Sequence, residues 1–255
     1  MNRIQQGVDP WRHHGQMRAL AEAAHSAADS FHWDLYDSYG LGPEVLGPLA
    51  GRDVVDIGSG TGQCIAHLVQ EHGARGTGVD SSPAMTELAT DRYGATGHLT
   101  YRTADAPRYL AQNAASFDVC LSRFGAACFT EPHLLLAAAA MALRPDGLLV
   151  LATMAEHADH QPATAHCQPS PCRLVQEDGS VRMVARWVLA ESRWRQLLGT
   201  YFDVLDVERL ANPRHPGRAV ATYLIRARRT RTPTCDRTAS PPPLMSVPLH
   251  RKPGS

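Results

Sequence analysis

Residues 53–63 constrain this chain more than any other stretch. Asp53-Val54-Val55-Asp56-Ile57 reads as a short strand, and Gly58-Ser59-Gly60-Thr61-Gly62-Gln63 sets three glycines at alternate positions before a helical pattern begins. Glycine accepts a left-handed backbone and, lacking a Cβ, lets a ligand or another backbone come close. The following helix offers unpaired N–H groups at its start. A strand passing to a helix through such a turn implies a β-α-β unit, and open sheets built from these units bind ligands beyond the carboxyl ends of their strands. A dinucleotide fingerprint would place its third small residue at position 63, which is Gln; the third glycine comes one residue early.

The alternation continues downstream. Strands are predicted over 75–79, 98–102, 117–121 and 148–153, with helices over 63–72, 83–93, 108–112 and 132–143. Ser82-Pro83 is a helix-opening pair, and Arg144-Pro145-Asp146-Gly147 stops the helix before the fifth strand. This rhythm predicts a parallel sheet covered on both faces. Met154–Gly179, rich in His, Pro, Gln and Cys, reads as a loop or irregular cap; a strand over 182–189, a helix over 191–198 and two closing strands over 202–210 and 218–227 follow. Upstream, Met17, Leu20, Ala21, Ala24, Ala28 and Phe31 form an apolar helical stripe, and a short helix is expected over 43–50.

Charge and composition remove several function classes. The net charge is zero, and Arg231, Arg237, Arg251 and Lys252 against Asp236 put +3 in residues 230–255, leaving about −3 on the rest. An acidic body does not suit a phosphate backbone, so a nucleic-acid partner is not expected. Lys252 is the sole lysine, which excludes a phosphate-loop lysine and a Tyr-x-x-x-Lys oxidoreductase pair. The six cysteines lack a disulfide framework, Met1–Pro10 lacks an apolar signal core, and the longest apolar run, 134–143, is too short to span a bilayer. A cytoplasmic protein without membrane partners is the expectation.

The pattern Asp56-x-Gly58-x-Gly60-x-Gly62 after a strand resembles the first motif of class I S-adenosylmethionine (SAM)-dependent methyltransferases. Other segments share the resemblance: Asp80-Ser81 at the end of the second strand, Thr103-Ala104-Asp105-Ala106 after the third, Ser122-Arg123-Phe124-Gly125 after the fourth and Leu143-Arg144-Pro145-Asp146-Gly147 before the fifth. It covers about residues 51–153 and points to the family's small-molecule, natural-product branch. It implies a Rossmann-like, seven-stranded, mostly parallel sheet with helices on both faces. An N-terminal helical lid (1–50), a core (51–229) with a cap inserted after strand five (about 154–200) and a Pro-rich disordered tail (230–255) complete that expectation. SAM is the implied cofactor. Its expected contacts are Asp56, Gly58, Ser59, Gly60, Gly62, Ser81, Ala104, Ala106 and Ser122, with Asp80 on the ribose hydroxyls and Asp105 on the adenine amino group. In Leu143–Gly147, Asp146 replaces a family glycine, a mild change because Asp tolerates turn geometry.

The catalytic group is less sharply marked. His32, Tyr36, Tyr39 and Arg123 are candidates beside the transferred methyl, with Phe124 and His166 behind them. The alternative for the aromatics is packing, and for Arg123 an ion pair at the sheet edge. His157, His160, His166, Cys167 and Cys172 lack the spacing of a metal site, and no metal is expected. Trp33, Trp187 and Trp194 in the cap regions suit an apolar small molecule. The expected reaction is N- or C-methylation of an aromatic or indole-like natural product in bacterial secondary metabolism, by a monomer or homodimer. Alternatives are O-methylation, or a SAM-binding cyclase or other non-methylating relative.

Overall fold

The strands' side chains divide between two faces, and each face is apolar. The computed structural model describes residues 9–22, 31–214 and 220–230. Strands β1 (Asp53–Ile57), β2 (Arg75–Asp80), β3 (Leu99–Thr103), β4 (Phe117–Arg123) and β5 (Leu143–Met154) pair in parallel. Helices α2 (Gln63–His72), α3 (Pro83–Tyr93), α4 (Ala106–Gln112), α5 (Ala126–Phe129) and α6 (Pro132–Ala142) lie between them. Val54, Val119, Leu121 and Val150 pack with Ile65 and Leu68 of α2 and Tyr93 of α3. Their neighbours Val55, Cys120, Leu149 and Leu151 face the other way, onto Leu110 of α4, Leu135 of α6 and Trp194 of α7 (Glu191–Leu198). Burial on both faces is what a parallel sheet demands.

The chain closes with β8 (Phe202–Leu210) and β9 (Thr222–Arg229), and β9 inserts antiparallel between β5 and β8. The sheet order is β3-β2-β1-β4-β5-β9-β8, seven strands in a Rossmann-like arrangement. Winding runs outward from β1 to β3 and then returns to β4, so a crevice opens between the ends of β1 and β4. Among the described residues no helix is long and apolar enough to cross a membrane.

Four expectations change. Part of the stretch read as irregular, 154–179, supplies β6 (Ser170–Val175), which pairs with β7 (Val181–Arg186) as a separate hairpin. The helix α1 (Arg12–Glu22) forms, but Met17 and Leu20 of its apolar stripe are exposed, and its buried residue is Gly15, against Met85 and Leu88 of α3. Ala24, Ala28 and the tail from 231 on lie outside the described residues. The short helix expected over 43–50 is a single 3-10 turn, Pro43–Leu46. Trp33, Trp187 and Trp194 belong to the two cores rather than to a cap lining. Residues 144–147 remain a turn in character although β5 begins before them: the β4–β5 register shifts there, and Asp146 takes the left-handed backbone (φ 63°) expected of a glycine substitute.

The aromatic segment after residue 31 is fixed by one buried carboxylate. Asp34 Oδ1 accepts the N–H groups of Ser38 (2.7 Å) and Tyr39 (3.0 Å), and Oδ2 accepts Asn212 Nδ2 (2.8 Å) from the loop after β8. Replacing it leaves several donors unmet, the Asn212 amide among them buried, and an unmet buried donor costs about 1–3 kcal/mol. Asp34→Ala is expected to lower unfolding free energy by about 3 kcal/mol in urea titrations, and Asn212→Ala by less.

Candidate active site

The glycine turn builds the floor of the crevice. Gly58, Gly60 and Gly62 all have positive φ (72°, 55° and 84°), but for different reasons. A Cβ on Gly58 would stand 2.2 Å from the Ala126 amide nitrogen, so this glycine allows the turn to touch the start of α5. A Cβ on Gly60 meets nothing within 4 Å, which leaves its surface open to a ligand. Gly62 is packed against Tyr101, whose hydroxyl donates to its carbonyl (3.0 Å).

Above this floor lies a cavity of about 500 Å³. Of the residues named from sequence, Asp56, Gly58, Ser59, Gly60, Asp80, Ser81, Asp105, Ala106 and Arg123 line it. Gly62, Ala104 and Ser122, anticipated as ligand contacts, lie outside its wall. Gly62 is turned to Tyr101; the Ala104 amide bonds the Asp80 carbonyl (2.9 Å); the Ser122 hydroxyl donates to Ile57 O (2.8 Å) and accepts Ala127 N–H (3.1 Å). These three brace the turn and the strand ends beside it.

Asp80 is held by the backbone: Oδ2 accepts Gly60 N–H (2.9 Å) and Oδ1 accepts Ser82 N–H (2.9 Å). Burial raises its pKa, while these donors pull the other way. Ser82 caps α3 through Met85 N–H, and Asp9 joins the same helix start, accepting from Ser82 Oγ (2.6 Å) and Ala84 N–H (3.2 Å). Asp105 caps α4 with Oδ1, accepting Arg108 N–H (3.1 Å). Asp56 is almost fully buried, and its pKa is pushed up to about 7, chiefly by desolvation, with Arg123 opposing and Asp80 adding to the rise.

The four candidate catalytic residues do not converge on one point. Arg123 reaches the cavity, yet its Nη1 donates to His32 O (2.9 Å) and pairs with Asp37 (2.9 Å), with Phe31 beneath the guanidinium. His32 lies outside the cavity wall and Tyr39 stands 40% exposed. Tyr36 lines an adjoining hollow of about 290 Å³, and its hydroxyl accepts Val220 N–H (3.1 Å). The His/Cys set in 157–172 disperses: His160 faces Glu156 and Cys172 is buried in β6. Cys167 instead stands with Glu131 and His133, their ligand atoms within 4.8 Å of one another.

Residues not singled out from sequence complete the far wall. Trp11, His14 and Arg18 from the N-terminal helix region, and Leu174, Val184 and Arg186 from the β6–β7 hairpin, line the cavity. Trp11 meets Phe129 edge-on (4.7 Å between ring centres), and His14 packs against Trp11 at 5.9 Å. Desolvation, then Arg18 and Arg186, push the pKa of His14 below its ordinary value. The spacing 11, 14, 18 was the available signal, one helix face carrying an aromatic, a histidine and an arginine.

The sheet order β3-β2-β1-β4-β5-β9-β8 is that of a Rossmann-like methyltransferase fold. Residues 55–151 match the family model described as a methyltransferase domain. The chain is 34% identical over 108 residues to a demethylmenaquinone methyltransferase of Tropheryma whipplei, covering 42% of this chain and 44% of that one. It is 32% identical over 119 residues to a ubiquinone biosynthesis O-methyltransferase of Maricaulis maris, 46% of each. The chain thus matches somewhat less than half the length of these relatives. Among solved structures it resembles the Burkholderia thailandensis 1,6-didemethyltoxoflavin N1-methyltransferase (TM-score 0.54, 21% identity, 86% of this chain and 84% of that one). A SAM-dependent methyltransferase from Methanosarcina mazei is similar too (TM-score 0.59, 19% identity, 75% and 99%).

The residues present fit SAM. Gly60 leaves room where a Cβ would intrude, and Asp80, fixed by two backbone donors, offers an acceptor-only group to a pair of hydroxyls.

Proposed function

We propose that the protein transfers the methyl group of SAM to a small aromatic or indole-like acceptor of bacterial secondary metabolism, at nitrogen or carbon, acting as a cytoplasmic monomer or homodimer. One observation carries the reading: a single cavity joins the carboxylate-bearing strand ends to an aromatic wall of Trp11 and Phe129. SAM brings a methyl group already activated on a positive sulfur. What remains for the chain is to bind, align and exclude water. Asp80 holds the ribose and Asp105 the adenine edge. Residues 1–50 and the 154–200 insertion act as the lid and cap, contributing the acceptor-side wall through Trp11, His14 and Arg186. His14, in the cavity wall beside Trp11, takes a proton leaving the acceptor. Tyr36 and Arg123 hold the segment 31–39 against the cavity. O-methylation is the second reading, favoured by the match to the Maricaulis relative named for that reaction.

Isothermal titration with S-adenosylhomocysteine, the demethylated product, tests the cofactor half. Micromolar binding is expected, with none for NAD. Asp80→Ala is expected to weaken it by more than about tenfold, because hydrogen bonds to a charged acceptor are lost. Equal affinity in the variant would refute the assignment of Asp80.

A further inference from the structure

The acceptor end of the cavity carries positive charge that methyl transfer to a neutral ring does not use. Arg186, the last residue of β7, lines both the main cavity and the adjoining hollow. Its guanidinium carbon sits 5.1 Å from the centre of the Phe129 ring, and Nη1 lies 3.4 Å from the Met154 sulfur. Nε is buried and has no hydrogen-bond acceptor among the described residues. None of the ion pairs formed there involves Arg186. Arg18 lines the same wall, and both arginines act on His14. The cavity's carboxylates, Asp56, Asp80 and Asp105, belong instead to the strand ends and the α4 cap.

A cation in a partly buried site without a counter-charge is unfavourable, and a buried N–H without an acceptor adds to that. With Nη1 directed at sulfur and Nε enclosed by protein, Nη2 is the donor left for a partner. A donor on a cation pairs best with an anionic oxygen such as that of a carboxylate. The Phe129 ring fixes the guanidinium plane, and Trp11 meets the same ring edge-on, so a planar apolar body can lie beside the charge.

We propose that the methyl acceptor is an aromatic acid whose carboxylate is taken by Arg186, with Arg18 adding to the field and the ring lying against Trp11 and Phe129. Calling this ligand the acceptor rests on the methyl-transfer reading; the recognition of a carboxylate does not. Arg186 is then the residue that separates acids from neutral aromatics of the same shape.

The test uses the full chain and two pairs of probes, indole-2-carboxylate and 1-naphthoate against their neutral carboxamides, titrated with and without S-adenosylhomocysteine. Each acid is expected to bind about tenfold or more tightly than its amide, since a charge-assisted contact replaces a neutral one. Arg186→Gln removes the difference by lowering acid affinity far more than amide affinity; Arg186→Lys retains part of it; Arg18→Gln reduces it by about two- to fivefold through the weaker, screened charge. Thermal melting confirms that each variant is folded, and Arg18→Gln carries the test if Arg186→Gln is not. Equal binding of acid and amide, no binding of either at millimolar concentration, or a preference surviving in Arg186→Gln would overturn the proposal. Loss of S-adenosylhomocysteine binding would remove the methyl-transfer reading alone, because the acid–amide comparison is read on the protein without it.

Discussion

Gly58→Ala is expected to lose about 3 kcal/mol or more of folding free energy, a large fraction of a domain's usual total. The added methyl would stand 2.2 Å from the amide nitrogen of Ala126 and 2.7 Å from the Gly125 backbone, none of which is a side chain that can swing away. A φ of 72° adds left-handed strain. The contact is reciprocal, since a Cβ on Gly125 would meet the Gly58 carbonyl oxygen at 2.3 Å. Two strand ends, β1 and β4, are thereby brought backbone to backbone at the point where the cavity opens. Gly60→Ala is the control. Its Cβ enters open space, so stability should fall by only about 1 kcal/mol from the left-handed backbone. S-adenosylhomocysteine affinity, by contrast, should fall sharply. Urea unfolding and calorimetric titration of both variants separate the two roles; a stable Gly58→Ala would show that the turn can shift away from α5.

The second large effect is a dependence of stability on pH that centres on Asp56. Its folded pKa of about 7 lies above the ordinary carboxylate value of 3.8. The folded state therefore holds a proton that the unfolded state releases. The contribution to stability is full below about pH 4 and is lost as pH rises through about 7, a span of about 4 kcal/mol. Denaturation midpoints of the ligand-free protein are expected to fall between pH 5 and pH 7.5. Asp56→Asn cannot ionise, so the difference between variant and parent isolates this one group. That difference should grow in favour of Asn with rising pH. A constant difference across the range would mean that Asp56 is ionised throughout in the folded protein.

Much of the sheet was legible because its causes are local. Alternating apolar residues, Ser82-Pro83 as a cap and opener, and the glycine turn each fix a backbone feature within a few residues, and β1 and α2 fall at the expected positions. The placing of Asp80 and Asp105 at the cavity was legible for the same reason, since they end or follow strands whose position the pattern gives. Features that depend on distant partners were not. Gly62 and Ser122 sit inside motifs that suggest ligand contact, yet Tyr101 and Ala127, remote or on another element, decide what they touch. The tryptophans illustrate this most clearly. Trp33 and Trp194 lie in segments that read as caps, but are fully buried against the sheet, whereas Trp11 beside the helix start faces the cavity. Sequence marks a tryptophan as something to bury and does not say against what. The β6–β7 hairpin was half missed because Ser170–Val175 contains Pro171 and Cys172 between polar residues, a weak strand pattern stabilised by its partner.

That hairpin has a consequence for how such a protein changes over time. Its two strands bond to each other and to none of the seven in the main sheet. Arg186, Val184 and Leu174 can therefore be exchanged without disturbing the register that holds the glycine turn and Asp80 in place. On the proposed reading, the molecule is a fixed reagent holder carrying an interchangeable jaw: descendants acquire new acceptors by rewriting a handful of hairpin positions while the reaction itself is inherited intact.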